Sequence, residues 1–310
     1  MKEDTVLIVG SMAFDDLELP STTAKNVVGG AATYAAYAAS LFAPARIVAV
    51  VGDDFSEKDL EALAKRGIDT SGVECVKGRT FRWVGRYGAN LASRVTLDTQ
   101  LNVFAGFQPK LPASYRSSEY VLLANIHPAL QLQVLDQVDR PKLVLADTMN
   151  FWIEGEPALL EQVLARVDVL CINDEEARQL SGVYPLPQAA RIILGKGPKS
   201  IIIKRGENGS MLVDHKGMFW VPAVPLNDAV DPTGAGDSFA GAMVGYLAAK
   251  GDLSPESLRR ALYVGTAVAS FNVQAVGTAR LSRLTPHDVS HRVSELTGMT
   301  HLEPLSQNIV

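Results

Sequence analysis

Cysteine is nearly absent: Cys75 and Cys171 are the two in 310 residues, far apart and outside any metal-ligand spacing. That pattern offers neither a disulfide framework nor a zinc site, and predicts a reduced, cytoplasmic protein. No apolar run approaches the roughly 20 residues of a membrane span. The opening Met1-Lys-Glu-Asp-Thr runs straight into Val6-Leu-Ile-Val9 without the regions of a signal peptide. Positive charge is also not in excess, with 29 Lys and Arg against 34 Asp and Glu and a net charge of -5. Nucleic acid is therefore not an expected partner. The Gly-x-Gly-x-x-Gly fingerprint is missing after the first strand, which disfavours a dinucleotide-dependent oxidoreductase. No Walker-type glycine loop occurs, and five scattered histidines suggest neither a zinc centre nor a Ser-His-Asp triad.

What the chain does have is a 47% hydrophobic composition, enough for a large core. Short β-rich runs alternate with helical patterns, which predicts an α/β fold with a mostly parallel sheet covered by helices. Strands are expected at Val6–Val9, Arg46–Val51, Tyr120–Ala124, Leu143–Ala146, Val167–Ile172 and Ser200–Lys204. Helices are expected near 30–42, 56–66, 128–137, 157–165 and 186–194. Near-continuous apolar strands such as Ile201-Ile-Ile fit a sheet buried on both faces. The whole chain, 1–310, reads as one α/β domain.

Two regions break the alternation, about 14–28 and 80–104. Around Thr80–Phe104 the pattern is that of strands with one open face, with Phe81, Trp83 and Tyr87 on one side and Arg82, Val84 and Arg86 on the other. Together the two regions predict a small projecting sheet. Met211–Asp214 and Met218–Val221 read as a hairpin. In the helical second half, Phe239, Met243, Tyr246 and Leu247 form an apolar stripe after Asp237, with Gly251 as a stop. Ser254-Pro255 and Thr285-Pro286 read as helix starts, and the tail after Thr297 reads as irregular.

The most informative segment is Asp231-Pro-Thr-Gly-Ala-Gly-Asp237. Gly234 and Gly236 permit a tight turn whose amides point inward, just before a helix, and this makes an anion site. An Asp there is unhelpful for binding phosphate alone. It becomes sensible if it takes a proton from an attacking alcohol. The ordinary alternative is a Gly-rich turn with Asp237 as helix N-cap, and the residues alone leave both open.

The run Asp231-Pro-Thr-Gly-Ala-Gly-Asp-Ser-Phe-Ala-Gly-Ala242 resembles the C-terminal signature of the PfkB or ribokinase family of carbohydrate and nucleoside kinases. The resemblance extends through Gly29-Gly30, Val51-Gly-Asp-Asp-Phe55, Gly67-Ile-Asp69, Asn173-Asp-Glu-Glu176 and Lys204-Arg-Gly206. It implies a ribokinase-like fold with a small β-sheet lid and an ATP-dependent kinase using Mg²⁺. It implies Asp237 as catalytic base and the amides around Gly234, Ala235 and Gly236 as anion hole. Asp15, five residues after Gly10, becomes the expected substrate-binding carboxylate, ahead of Asp16, with Gly29 and Gly30 against the substrate. On the nucleotide side it implies Asn173, Lys204, Gly206 and Gly209, with Glu176 organising Mg²⁺ through water. Asn173 and Glu176 also have the spacing of a capping box. Residues near 268–277 would border the adenine, and Asp231 with the loop 274–277 would match a K⁺ site.

Several positions depart from the family pattern. Ala13 and Tyr34 stand where ribokinase-like chains often carry Asn, so two amide groups for sugar hydroxyls are lost. Tyr34 offers instead a hydroxyl or an aromatic face, or only helix packing. Asp147-Thr-Met-Asn150 lacks the arginine of the usual Asp-x-Asn-x-Arg. The expected reaction is transfer of the γ-phosphoryl group of ATP to a hydroxyl, a hydroxymethyl first of all, of a sugar. A nucleoside is the alternative acceptor, and a non-catalytic ligand sensor is the more distant one. The open face of the small sheet requires cover: substrate, a second subunit giving a homodimer, or another partner. Arg82 and Arg86 on that sheet could meet an anionic group or remain solvated.

Overall fold

The structure is a computed structural model that describes residues 4–301. In chain order the strands are β1 (Val6–Val9), β2 (Ala13–Leu19), β3 (Thr22–Gly29), β4 (Ala45–Gly52), β5 (Ile68–Val76), β6 (Phe81–Tyr87) and β7 (Arg94–Gln100), followed by β8 (Tyr120–Leu123), β9 (Leu143–Ala146), β10 (Val169–Asn173), β11 (Ser200–Lys204), β12 (Ser210–Asp214) and β13 (Gly217–Val221). The helices are α1 (Ala31–Ala39), α2 (Glu57–Ala64), α3 (Pro128–Leu135), α4 (Asn150–Gly155), α5 (Pro157–Leu164), α6 (Asp174–Ser181), α7 (Leu186–Leu194), α8 (Ala235–Lys250), α9 (Pro255–Asn272) and α10 (Pro286–Thr300).

Nine strands form the main sheet in the order β13-β12-β11-β10-β9-β8-β1-β4-β5. Seven of them run parallel, and β12 and β13 continue the edge as an antiparallel hairpin. The strands are apolar throughout because both faces are covered. Val6 and Ile8 of β1 enter one core with α1, α8 and α9, while Leu7 and Val9 enter the other with α5 and α7. The neighbours of β1 are β4 on one side and β8 on the other, so chain order reverses at β1. A crevice at such a switch point, beyond the carboxyl ends of the strands, is where open α/β sheets bind ligands.

The small sheet has the order β3-β2-β6-β7 and is built from the two regions that broke the alternation. Residues paired in register share a face, so Asp15 lies beside Trp83, and Asp16 beside Val84. The inward face packs Leu17, Leu19 and Tyr87 with Val27, Trp83, Val230 and Val276. The outward face carries Asp16 and Glu18, which pair with Arg82 and Arg86.

Several sequence expectations need correction. The ninth main-sheet strand β5 was not anticipated, because its residues are half polar and lie at the sheet edge, where alternation is weak. Helix α8 does not bury a single stripe. It lies between α1 and α9, so Ala240, Gly241, Ala242, Val244, Gly245 and Ala248 are buried as well. Its glycines allow close contact: a Cβ on Gly241 would fall 2.2 Å from the Ala35 carbonyl oxygen, and one on Gly245 2.6 Å from that of Ala39. Helix α10 continues to Thr300 rather than becoming irregular after Thr297, and the rest of that tail lies outside the described residues. The caps at Ser254 and Thr285 and the left-handed stop at Gly251 are present.

Candidate active site

Parallel strands end at one edge of the sheet, and the candidate side chains gather there. Asp15 follows β1, Asp147 follows β9, Asn173 ends β10 and Lys204 ends β11. Helix α8 brings its N-terminus to the same place. Its N-cap is Gly234, in the left-handed region at φ 73°, without a side-chain cap. Asp237 therefore sits within the first turn and is not the cap. The first turn of this 16-residue helix has no side-chain cap, so its amides and the positive end of the helix dipole lie beside Asp237.

The loop before α8 is fixed from three sides. Asp231 is buried and accepts hydrogen bonds from the Thr233 amide at 2.9 Å and the Gly277 amide at 2.8 Å. The Asn272 side chain donates to the Thr233 carbonyl at 2.7 Å and accepts from the Ser238 hydroxyl at 3.3 Å. The Tyr34 ring lies under Gly234, where a Cβ would come within 2.2 Å of it. A side chain at 234 would thus meet both a strained φ and a ring. Tyr34 is buried, and its hydroxyl has no hydrogen-bond partner among the described residues. Its ring serves the loop, and the hydroxyl remains as the free group.

Lys204 crosses to the loop. Its ammonium group pairs with Asp147 at 3.0 Å, and it lies 3.0 Å from where a Cβ of Gly236 would stand. Asp147 and Glu176 are both buried. Asn173 and Glu176 form the reciprocal capping box of α6, each bond 2.7 Å long, and the cap uses Oε2 of Glu176 but not Oε1. Asn150 donates to Gln179 of α6 at 2.6 Å. Gly206 has a left-handed φ of 52° with open space around it, whereas a Cβ on Gly209 would fall 2.1 Å from the Val221 carbonyl oxygen. Gly209 is thus required by the hairpin.

At the other end, Asp15 is buried and its carboxylate lies flat against Gly29, where a Cβ would be 2.0 Å from Oδ2. Gly29 therefore makes room for Asp15. Gly30, at φ 91°, lets α1 start against the turn after β1, with the Ala31 and Ala32 amides donating to Ser11. Asp16 points to the outer face, where it accepts from Arg82 at 2.8 Å.

The carboxylates perturb one another. Burial, then the nearby charges of Asp231 and Asp237, push Asp15 up to about 8. Burial and the charge of Asp147 push Asp237 up to about 6, with Lys204 and Arg94 acting in the opposite sense. Burial and Asp147 likewise push Glu176 up to about 7. Asp237 still keeps part of its surface accessible, as a group exchanging a proton with a ligand requires. The result is a group of buried carboxylates, Asp15, Asp147, Glu176 and Asp231, near the glycine loop that opens α8.

Sequence reasoning missed four contributors: Tyr87, Thr233, Asn272 and Arg94. The Thr233 hydroxyl donates to the Tyr87 hydroxyl at 3.1 Å, joining the small sheet to the loop before α8. The alternation had put Tyr87 on one face of its strand, but nothing local said which face met the body.

A sequence profile described as the pfkB family of carbohydrate kinases matches residues 4–284. The chain is 31% identical over 250 residues to a cytidine kinase of Thermococcus kodakarensis, covering 78% of this chain and 87% of that one. It is 28% identical to a ribokinase of Mus musculus, covering 88% and 90% of the two chains. Among solved structures, a ribokinase from Thermotoga maritima superposes with a TM-score of 0.75 at 25% identity, over 94% of this chain and 99% of that one. No helix among the described residues is long and apolar enough to cross a membrane. By its fold and the extent of the match, the chain belongs to the pfkB family of carbohydrate kinases, the ATP-dependent, ribokinase-like phosphotransferases that act on sugars and nucleosides.

Proposed function

We propose that this protein transfers the γ-phosphoryl group of ATP to the hydroxymethyl group of a ribose-like sugar, with Asp237 as the base. The observation that carries this reading is Asp237 itself: a carboxylate with a raised pKa, in the first turn of α8, beside an amide-lined anion loop. The acceptor oxygen forms a bond to the γ-phosphorus, and the bond from that phosphorus to the bridging oxygen breaks. The acceptor proton passes to Asp237, and ADP leaves. The amides of Gly234, Ala235 and Gly236 stabilise charge on the transferring group. Asp15, facing the cleft from the small sheet, accepts hydrogen bonds from adjacent ring hydroxyls. Closure of that sheet excludes water as a competing acceptor.

The residues present fit a magnesium nucleotide. Lys204 reaches the anion loop, and Asp147 and Glu176 lie buried nearby in surplus negative charge. Mg²⁺ retains most of its waters and needs few protein ligands, so the free oxygen of Glu176 suffices to orient one of them. When bound, Mg²⁺ neutralises phosphate charge. Asn173 positions Glu176, and Gly206 leaves space beside the phosphates. K⁺ activation is a further part of the reading, supported by the buried Asp231 tied to the loop 274–277.

A nucleoside acceptor is the second reading, favoured by Ala13 and Tyr34 in place of the amide residues expected for a free pentose. The cytidine kinase relative points the same way. A panel of pentoses and nucleosides, assayed for ADP formation with ATP, Mg²⁺ and K⁺, separates the two. Asp237→Asn, run beside the wild type, identifies a sensor if ligand binds and neither protein turns over.

A further inference from the structure

The small sheet carries three arginines in its strands β6 and β7, and they differ in one respect. Arg82 and Arg86 lie on the outer face and are neutralised there by Asp16 and Glu18. Arg94 pairs in register with Tyr87, and residues opposite each other in an antiparallel pair share a face. Tyr87 meets Thr233 of the anion loop, so Arg94 is on the face turned toward the site. Among the described residues no carboxylate forms an ion pair with it.

Arg94 is nevertheless held. Its guanidinium lies 5.7 Å from the centre of the Trp83 ring. That ring lies flat on Gly85, where a Cβ would fall 2.0 Å from it, and its indole nitrogen donates to the Thr96 hydroxyl at 3.2 Å. The stack Gly85–Trp83–Arg94 thus supports an exposed cation from below. On that face it stands beside Tyr87, whose hydroxyl bonds Thr233, the residue before Gly234 of the loop that, in the reaction proposed above, holds the transferring phosphoryl group.

We infer that Arg94 is a catalytic residue borne by the small sheet, whose guanidinium engages the phosphoryl group as it moves from ATP to the acceptor. This rests on the reading of the site as a kinase centre. An arginine suits the task, because its planar fork binds two phosphate oxygens at once and stays charged at any working pH. Delivering it from the small sheet couples catalysis to closure, so that ATP in an open site is spared hydrolysis.

Steady-state kinetics of Arg94→Ala, Arg94→Lys and Arg86→Ala, with an acceptor the wild type phosphorylates, test the inference. For Arg94→Ala, kcat is expected to fall by about 10³-fold or more, as for other arginines at a transferring phosphoryl group. The acceptor KM should change by much less, Arg94→Lys should recover part of kcat, and Arg86→Ala should match the wild type. A kcat for Arg94→Ala within about threefold of wild type overturns the inference, and so does an acceptor KM effect with kcat unchanged. If wild type turns over and Asp237→Asn does not, a negative result for Arg94 leaves the kinase reading intact. If no acceptor is phosphorylated, calorimetric titration with magnesium ATP and magnesium ADP decides. The wild type should prefer ATP over ADP by a wider margin than Arg94→Ala, and equal margins overturn the inference.

Discussion

The Thr233 hydroxyl donates to the Tyr87 hydroxyl at 3.1 Å, across 146 residues of sequence, and so latches the small sheet to the loop that precedes Asp237. A neutral hydrogen bond of this kind contributes about 1 kcal/mol net. Tyr87→Phe keeps the ring against Leu17 and Leu19 and removes only the latch. The acceptor KM should rise about fivefold, the equivalent of that energy, with the thermal midpoint nearly unchanged. An unaltered KM would show that the latch does not govern closure.

As the proposed base, Asp237 must be ionised to accept a proton, and its pKa is raised to about 6 by burial and the charge of Asp147. Activity should therefore fall tenfold per pH unit below about 6 and level off above it. Asp237→Asn should lower kcat by about 10²–10⁴-fold, the range for loss of a general base, while magnesium ATP still binds. A pH profile of kcat/KM reports the group in the free enzyme, and a limb displaced to pH 4 would contradict the environment described.

Asp15 offers a stability test with a defined sign. Its pKa is raised in the folded chain from 3.8 to about 8 by burial, then by Asp231 and Asp237. Between those values the folded state holds a proton that the unfolded state has released. Its contribution is fully present below pH 3.8 and is lost as pH rises through about 8. Glu176 and Asp237 shift in the same direction. Thermal midpoints should thus decline from pH 5 toward pH 9. Asp15→Asn should flatten that decline and raise the midpoint at the alkaline end. The same substitution should raise the acceptor KM by about tenfold, the value of one or two hydrogen bonds, without altering ATP affinity. A collapse of ATP affinity instead would remove Asp15 from the acceptor site.

Lys204 and Asp147 form a pair with little solvent exposure. Lys204→Met leaves Asp147 buried beside Glu176 and should cost about 3 kcal/mol of stability. The double variant Lys204→Met, Asp147→Asn should regain much of it, which a double-mutant cycle measures. Nucleotide affinity should not return with stability, because the ammonium group beside Gly236 is still missing. Recovery of both together would assign Lys204 a purely structural role.

The alternation of short apolar strands with helical patterns was enough to give the α/β class, because a sheet buried on both faces leaves a continuous apolar signal. Helix caps at Ser254 and Thr285 were legible for a similar reason, since their bonds span three residues. The edge strand β5 and the buried-all-round α8 were not legible, because their surroundings come from distant segments. Gly29 shows the limit at the site. Its sequence context suggested a substrate approaching the backbone, whereas its immediate reason is the Asp15 carboxylate lying against it.

The segment 231–237 on its own determined the chemistry to look for, because glycine-dependent amides, a helix start and a carboxylate are all contained in seven residues. It left Asp237 as base or as N-cap, and only the folded loop decided that Gly234 holds the cap position. The tertiary structure likewise decided which arginine of the small sheet is free. Arg82 and Arg86 stood out in the sequence, yet pairing across strands neutralises both, while the unremarked Arg94 shares the face of Tyr87 and has no carboxylate partner among the described residues. Charge compensation is a long-range property. It depends on which carboxylate the fold sets within reach, and no local spacing encodes that.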